Sequence, residues 1–233
     1  MPRFSIKPHP FLGDIQTNPT MRQSNLTEGP LGKHIRSIAM PMSIGFFFNT
    51  MNNVVDAFYA GRISTSALAA MALSFPVFFI IIAFSEGIAR GSSALIANAI
   101  GARDKIKEKA LCGQVFTLGI FVSITLMFTG LSASPPLFRL LGASGEYLDL
   151  ATEYLTPLFW GAPFFLLSSL SNAILLANGD SRTFGKVLIA GFFLNLILDP
   201  WFLYGGFGIP AMGLSGIAWA TVLIQAIGGC YLF

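Results

Sequence analysis

Three acidic residues stand where water would not normally reach them: Asp56, Glu86 and Asp199 each lie inside a long apolar run. An ionised Asp at mid-bilayer depth costs about 2.5–3.5 kcal/mol on insertion scales, so such groups are functional candidates by default. Asp56 closes a stripe with Asn49, Asn52 and Asn53 at three- and four-residue steps, giving one helix face three amides and a carboxylate. That face either lines a water-filled cavity or forms hydrogen bonds between helices. Asp199 follows Asn195 by four residues and precedes Pro200. Two carboxylates and an amide in a low-dielectric pocket have the chemistry of a proton or Na⁺ site, with Asp56, Asn195 and Asp199 as the metal ligands in the Na⁺ case. The structural alternative is an acid kept neutral by its Asn neighbour. Glu86 and Arg90, four apart, suit an ion pair at the base of a helix. Asn172, among Ser168, Ser169 and Ser171, either lines a substrate cavity or bonds to a neighbouring helix. Pro41 removes a backbone hydrogen bond 15 residues before Asp56, which permits a bend there, or else it sits in a first helical turn.

The elements that must carry these residues follow from composition. The chain has 233 residues, of which 54% are hydrophobic and 11% charged, against roughly 25% charged in soluble domains. The fold class is therefore an all-α polytopic membrane protein. Apolar segments predict six spans at about 36–58, 68–97, 111–132, 148–177, 184–204 and 212–233. Between them, at 61–64, 101–109, 134–145, 178–181 and 205–212, lie turn-forming Gly, Pro and Asn. The runs are too long for barrel strands. Residues 1–30, with five prolines and no apolar period, are expected to form a disordered tail, and 31–233 a single six-span unit.

Eleven Lys and Arg residues fall on the side of the tail and only Arg62 and Arg139 on the other, which predicts a cytoplasmic N-terminus in the plasma membrane. Counted from Arg36 and Phe184, Asp56 and Asp199 lie about 30 Å and about 22 Å along their helices, so both belong to the outer half of the bilayer. No GxxxxGK[ST], HExxH or GxSxG is present, which leaves nucleotide-driven pumping and hydrolase chemistry without a motif; neither an enzyme nor a cofactor is expected. The basic residues sit in loops and do not suggest nucleic acid. Cys112 and Cys230 lack metal or redox spacing and read as packing residues. Because the sequence stops at Phe233 within an apolar run, it is expected to be cut short.

The stretches Ile38–Pro41 and Asn53–Arg62, the run Ser92–Ala102, and Ala177–Thr183 followed by Asn195–Pro200 and Gly213–Thr221 together resemble the multidrug and toxic compound extrusion (MATE) family of secondary transporters. The likeness covers about residues 30–233. It implies an antiporter lobe that exports drugs, toxins or metabolites against an inward H⁺ or Na⁺ gradient. By position it implies Asp56, Asn195, Asp199 and Thr221 as the cation-coupling residues. Pro41 would be the bend of the first helix and Asn172 a cavity residue, while Asn49 and Asn53 are cavity candidates by the polar stripe alone. Family members have two six-helix lobes around a central cavity, and only the first is expected here, with a second lobe and a small, cationic organic substrate as partners. Glu86 departs from the family pattern, which expects an apolar or small residue. Two alternatives stay open: a lipid-linked precursor flippase of the wider superfamily, and a truncated membrane module that does not transport.

Overall fold

The computed structural model describes residues 31–206 and 208–233; the expected N-terminal tail lies outside the described residues. Among these are seven helices: α1 (Leu31–Ile63), α2 (Thr65–Gly101), α3 (Lys105–Leu140), α4 (Glu146–Trp160), α5 (Ala162–Ala177), α6 (Arg182–Tyr204) and α7 (Leu214–Leu232). They make an all-α polytopic membrane protein. α2, α3, α6 and α7 are each long and apolar enough to cross a membrane, and α4 with α5 forms one further span bent by 48°. α1 is long enough, at 33 residues; the polar stripe through Asp56 lowers its apolarity.

The connections are short because side chains and glycines end the helices firmly. Ser64 alone separates α1 from α2; it is extended (φ −167°, ψ 164°), and its Oγ accepts the Ala67 N–H at 3.0 Å, an N-cap. Three helices close with the Schellman pattern, a 6→1 bond wrapped around a 5→2 bond. α3 does so through Ala143 N–H to Phe138 O and Gly142 N–H to Arg139 O. α5 does so through Asp180 N–H to Leu175 O and Gly179 N–H to Leu176 O. Gly142 and Gly179 hold the left-handed position (φ 90° and 80°). In α2 that position falls to Arg103, at φ 55°, the non-glycine residue with positive φ among those described.

Two expectations need correction. Pro135 and Pro136 do not end the third span: α3 continues to Leu140, because the left-handed cap that stops it is Gly142. Nor is the fourth span continuous. Pro157 and Pro163 bracket Gly161, where α4 gives way to α5. Pro163 has no N–H to offer the preceding turn, so the α-helical ladder is interrupted there. α7 fills the notch, since a Cβ on Gly161 would lie 2.4 Å from Val222 Cγ2.

The packing closes on itself. α1 lies on α6, α6 on α7, and α7 on both α4 and α5, while α2 and α3 cover the other side of that bent pair and α1 also reaches α2. Ile81, Leu155, Leu158, Leu166 and Ile217 are fully buried at the centre. Phe121, Phe128 and Ile120 of α3 point outward, as expected of a helix face solvated by lipid. α1 and α6 cross with backbone against backbone: a Cβ on Gly185 would stand 2.8 Å from the Pro41 carbonyl oxygen.

Candidate functional site

α1 brings Asp56 and α6 brings Asn195 and Asp199 to one buried point. Asn195 and Asp199 are one helical turn apart and share a face, and the close α1–α6 crossing lets Asp56 meet them. The Asn195 Nδ2 donates to Asp56 Oδ1 at 3.2 Å and to Asp199 Oδ1 at 3.0 Å. One amide thus bridges two carboxylates separated by 143 positions in sequence. All three side chains are buried, Asp199 completely. Asn195 Oδ1 and Asp199 Oδ2 have no hydrogen-bond partner, an orphaned pair of oxygens in a setting where almost every buried polar atom finds one. Thr221 of α7 faces Asp56, while its hydroxyl donates to Ile217 O at 3.2 Å.

Tyr154 of α4 completes the surroundings, buried close to both carboxylates. Sequence reasoning missed it. Its signal was positional only: with Ala151, Leu155 and Leu158 it lies on the buried side of α4, and no spacing links it to Asp56.

The other candidates are not gathered there. Asn53 turns back along its own helix, its Nδ2 donating to the Asn49 carbonyl oxygen at 3.2 Å, and its side chain is exposed. Asn49 takes part through its backbone. Asn52, on the same stripe, has a buried Oδ1 without a partner. Asn172 of α5 likewise keeps a buried, unpartnered Oδ1 and makes no hydrogen bond to the acidic cluster. Pro41 lies at the α1–α6 crossing, inside α1 and not in its first turn. Glu86 and Arg90 form a 3.1 Å ion pair, consistent with the structural reading.

The donor set suits a proton or a hard cation: carboxylate, amide and hydroxyl oxygens, two of them unsatisfied, and no sulfur. Beside this geometry stands the comparison with known proteins. The MatE family signature matches residues 41–201, a stretch that contains both acids and the bridging amide. The chain belongs to the MatE family. It is 31% identical over 185 residues to the probable multidrug resistance protein YoeA of Bacillus subtilis, covering 79% of this chain and 40% of that protein. It is 29% identical over 197 residues to a FAD transporter of Shewanella oneidensis, covering 84% and 44%. A solved structure of a MOP superfamily transporter from Pyrococcus furiosus superposes with a TM-score of 0.83 at 34% identity, over 91% of this chain and 46% of the other. This MatE chain therefore spans less than half the length of the relatives it matches, in keeping with one lobe of the family's fold.

Proposed function

We propose that this chain is the N-terminal lobe of a cation-coupled exporter of small organic compounds, drugs or metabolites, in the plasma membrane. In this reading Asp56, Asn195 and Asp199, with Thr221 beside them, take up the coupling H⁺ or Na⁺. The observation that carries it is the single amide that donates to two buried carboxylates on different helices. Two carboxylate oxygens sharing one N–H₂ group stand about 5 Å apart, and at an effective dielectric of about 20 two full charges there repel by ~3 kcal/mol. A proton or a cation between them removes that repulsion. Cation uptake and the fit of α1 against α6 are then one event, because Asp56 belongs to one helix and Asp199 to the other.

Uptake draws α1 toward α6 at the Asp56 level, α1 bends near Pro41, and the cavity beside it contracts and releases its solute. Loss of the cation restores the repulsion and resets the lobe. A second six-helix lobe supplies the other wall of the cavity. The N-terminus faces the cytoplasm, as the distribution of basic residues supports. Arg90, the cation within the expected spans, is paired to Glu86, which argues against a cavity for diphosphate-linked lipids.

The test is efflux of a fluorescent organic cation from proteoliposomes holding the transporter, under an imposed H⁺ or Na⁺ gradient. One gradient is expected to drive efflux, and replacing Asn195 by Leu is expected to abolish the drive while the protein still inserts. Gradient-driven efflux at the normal rate in Asn195→Leu would remove the amide bridge from the mechanism.

A further inference from the structure

Where α3 ends and α4 and α7 begin, the lobe holds a cleft of about 570 Å³, within the ~300–1,000 Å³ of small-ligand sites. None of the acidic cluster lines it. Asp149, Thr152, Glu153, Thr156 and Trp160 form one wall, and their spacing places them on a single stripe of α4 about 16 Å long. Arg139, from the last turn of α3, and Trp219 of α7 face this stripe.

The stripe carries its carboxylates and hydroxyls over the first two turns and an indole at its far end. Asp149 stands at one end of the stripe, in the first turn of α4, with Arg139 from the last turn of α3 also lining the cleft. Thr152, the second carboxylate on Glu153 and Thr156 follow, and the half-exposed Trp160 indole ends the stripe at the last residue of α4. The opposite charges do not neutralise one another: among the described residues the side chains of Arg139 and Asp149 make no ion pair or hydrogen bond. Glu153 lends only Oε1 to the Ser215 N–H, at 3.4 Å.

A cleft that holds a guanidinium apart from two carboxylates, and carries two half-exposed indoles beside them, matches a ligand that carries both charges on a head and continues into an apolar tail. We propose that it binds a membrane phospholipid with a phosphoethanolamine head group. The phosphate meets the Arg139 guanidinium, and the ammonium donates to Asp149 and Glu153. Thr152 and Thr156 meet the ester region, and the acyl chains leave past Trp160 and Trp219 into the bilayer. A primary ammonium is specified because the Asp149 and Glu153 carboxylates accept N–H bonds, which a quaternary amine does not have. The site is independent of the transport reading; it joins α3, α4 and α7 whatever ion or solute the lobe handles.

The experiment reconstitutes the chain carrying Trp201→Phe, so that the tryptophans left, Trp160 and Trp219, both line the cleft. Nanodiscs of phosphatidylglycerol receive a small, equal fraction of brominated-chain phosphatidylethanolamine, phosphatidylcholine or phosphatidylglycerol, and tryptophan fluorescence is read. Quenching by the ethanolamine lipid is expected to be several-fold stronger than by the other two. The preference is expected to vanish in Arg139→Ala and in the isosteric double variant Asp149→Asn/Glu153→Gln, with helix content unchanged by circular dichroism. Soluble phosphoethanolamine added at millimolar concentration is expected to leave the quenching as it was. Equal quenching by all three lipids, a preference that survives the double variant, or full displacement by the soluble head group would each overturn the assignment.

Discussion

Replacing Asp56 by Asn separates charge from shape at the acidic cluster. The asparagine Oδ1 can still accept the Asn195 amide hydrogen, now held at 3.2 Å, so the α1–α6 contact survives and folding should not suffer. What disappears is one negative charge. A cation about 4 Å from that carboxylate gains ~4 kcal/mol at an effective dielectric of about 20, and each 1.4 kcal/mol is a tenfold change in affinity. Cation uptake should therefore weaken by roughly a thousandfold. The same change relieves the repulsion between Asp56 and Asp199, so the variant should melt no lower than the wild type, and higher where both acids are ionised in the wild type. The assay pairs gradient-driven efflux in proteoliposomes with a thermal melt of the same preparation. Efflux lost with the melting temperature kept is the expected result. Retained efflux with an unchanged dependence on the gradient would refute the coupling role of Asp56, whereas loss of both readouts would show that the carboxylate holds the fold.

Three further outcomes concern the frame around the site. Gly161→Ala places a Cβ 2.4 Å from Val222 Cγ2 and should cost about 1–3 kcal/mol. Adding Val222→Ala should recover part of that loss, so a double-mutant cycle in chemical denaturation must come out non-additive. Arg103→Gly should raise stability by roughly 1 kcal/mol, since it removes a side chain from the left-handed cap of α2, measurable as a shift in denaturant midpoint. Asp180 lies in the turn before α6. Partial burial opposes its charge, but the Thr183 hydroxyl, the N–H groups of Thr183 and Arg182, and the Lys186 ammonium outweigh that and hold its carboxyl below the usual carboxylate range. A lowered folded value means that the contribution is complete above the ordinary carboxylate value and disappears as the pH falls through the folded one. Asp180→Ala should therefore cost about 1 kcal/mol at pH 7, and a stability profile against pH should show the difference from wild type shrinking below about pH 4.

The helical frame was legible in the sequence because its signals are local. Apolar runs marked the rods, and the Ala177–Thr183 turn and the Gly205–Met212 connection carry their Gly and Asn in plain view. Asn195 and Asp199 could be placed on one face from spacing alone. Asp56 could be matched to them in depth by counting residues, although only the three-dimensional packing puts the Asn195 amide between the two acids. The break at Gly161 was hidden because Leu158, Phe159, Trp160 and Phe164 keep the run apolar across it; the Pro157, Gly161 and Pro163 spacing was the available sign. Pro135 and Pro136 misled in the opposite sense, since a proline weakens a helix locally but the stop is set by the left-handed residue that follows. Which amides of the α1 stripe turn inward was not readable either. Asn53 can satisfy itself on the carbonyl one turn back, and nothing in the spacing favours a neighbour over that.

The bare crossing of α1 on α6 gives the lobe a fulcrum. With no side chain between the Pro41 carbonyl and Gly185, and Gly45 backed directly on the Gly185 Cα, the two helices cannot slide closer there, and any rocking of one on the other pivots at this point. From Gly45 to Asp56 is 11 residues, an arm of about 16 Å, so a tilt of about 10° carries the carboxylate some 3 Å. That distance is as long as the hydrogen bond joining Asp56 to Asn195. A lever of this length turns a rotation too small to disturb the packed core into the complete making or breaking of the contact at its tip.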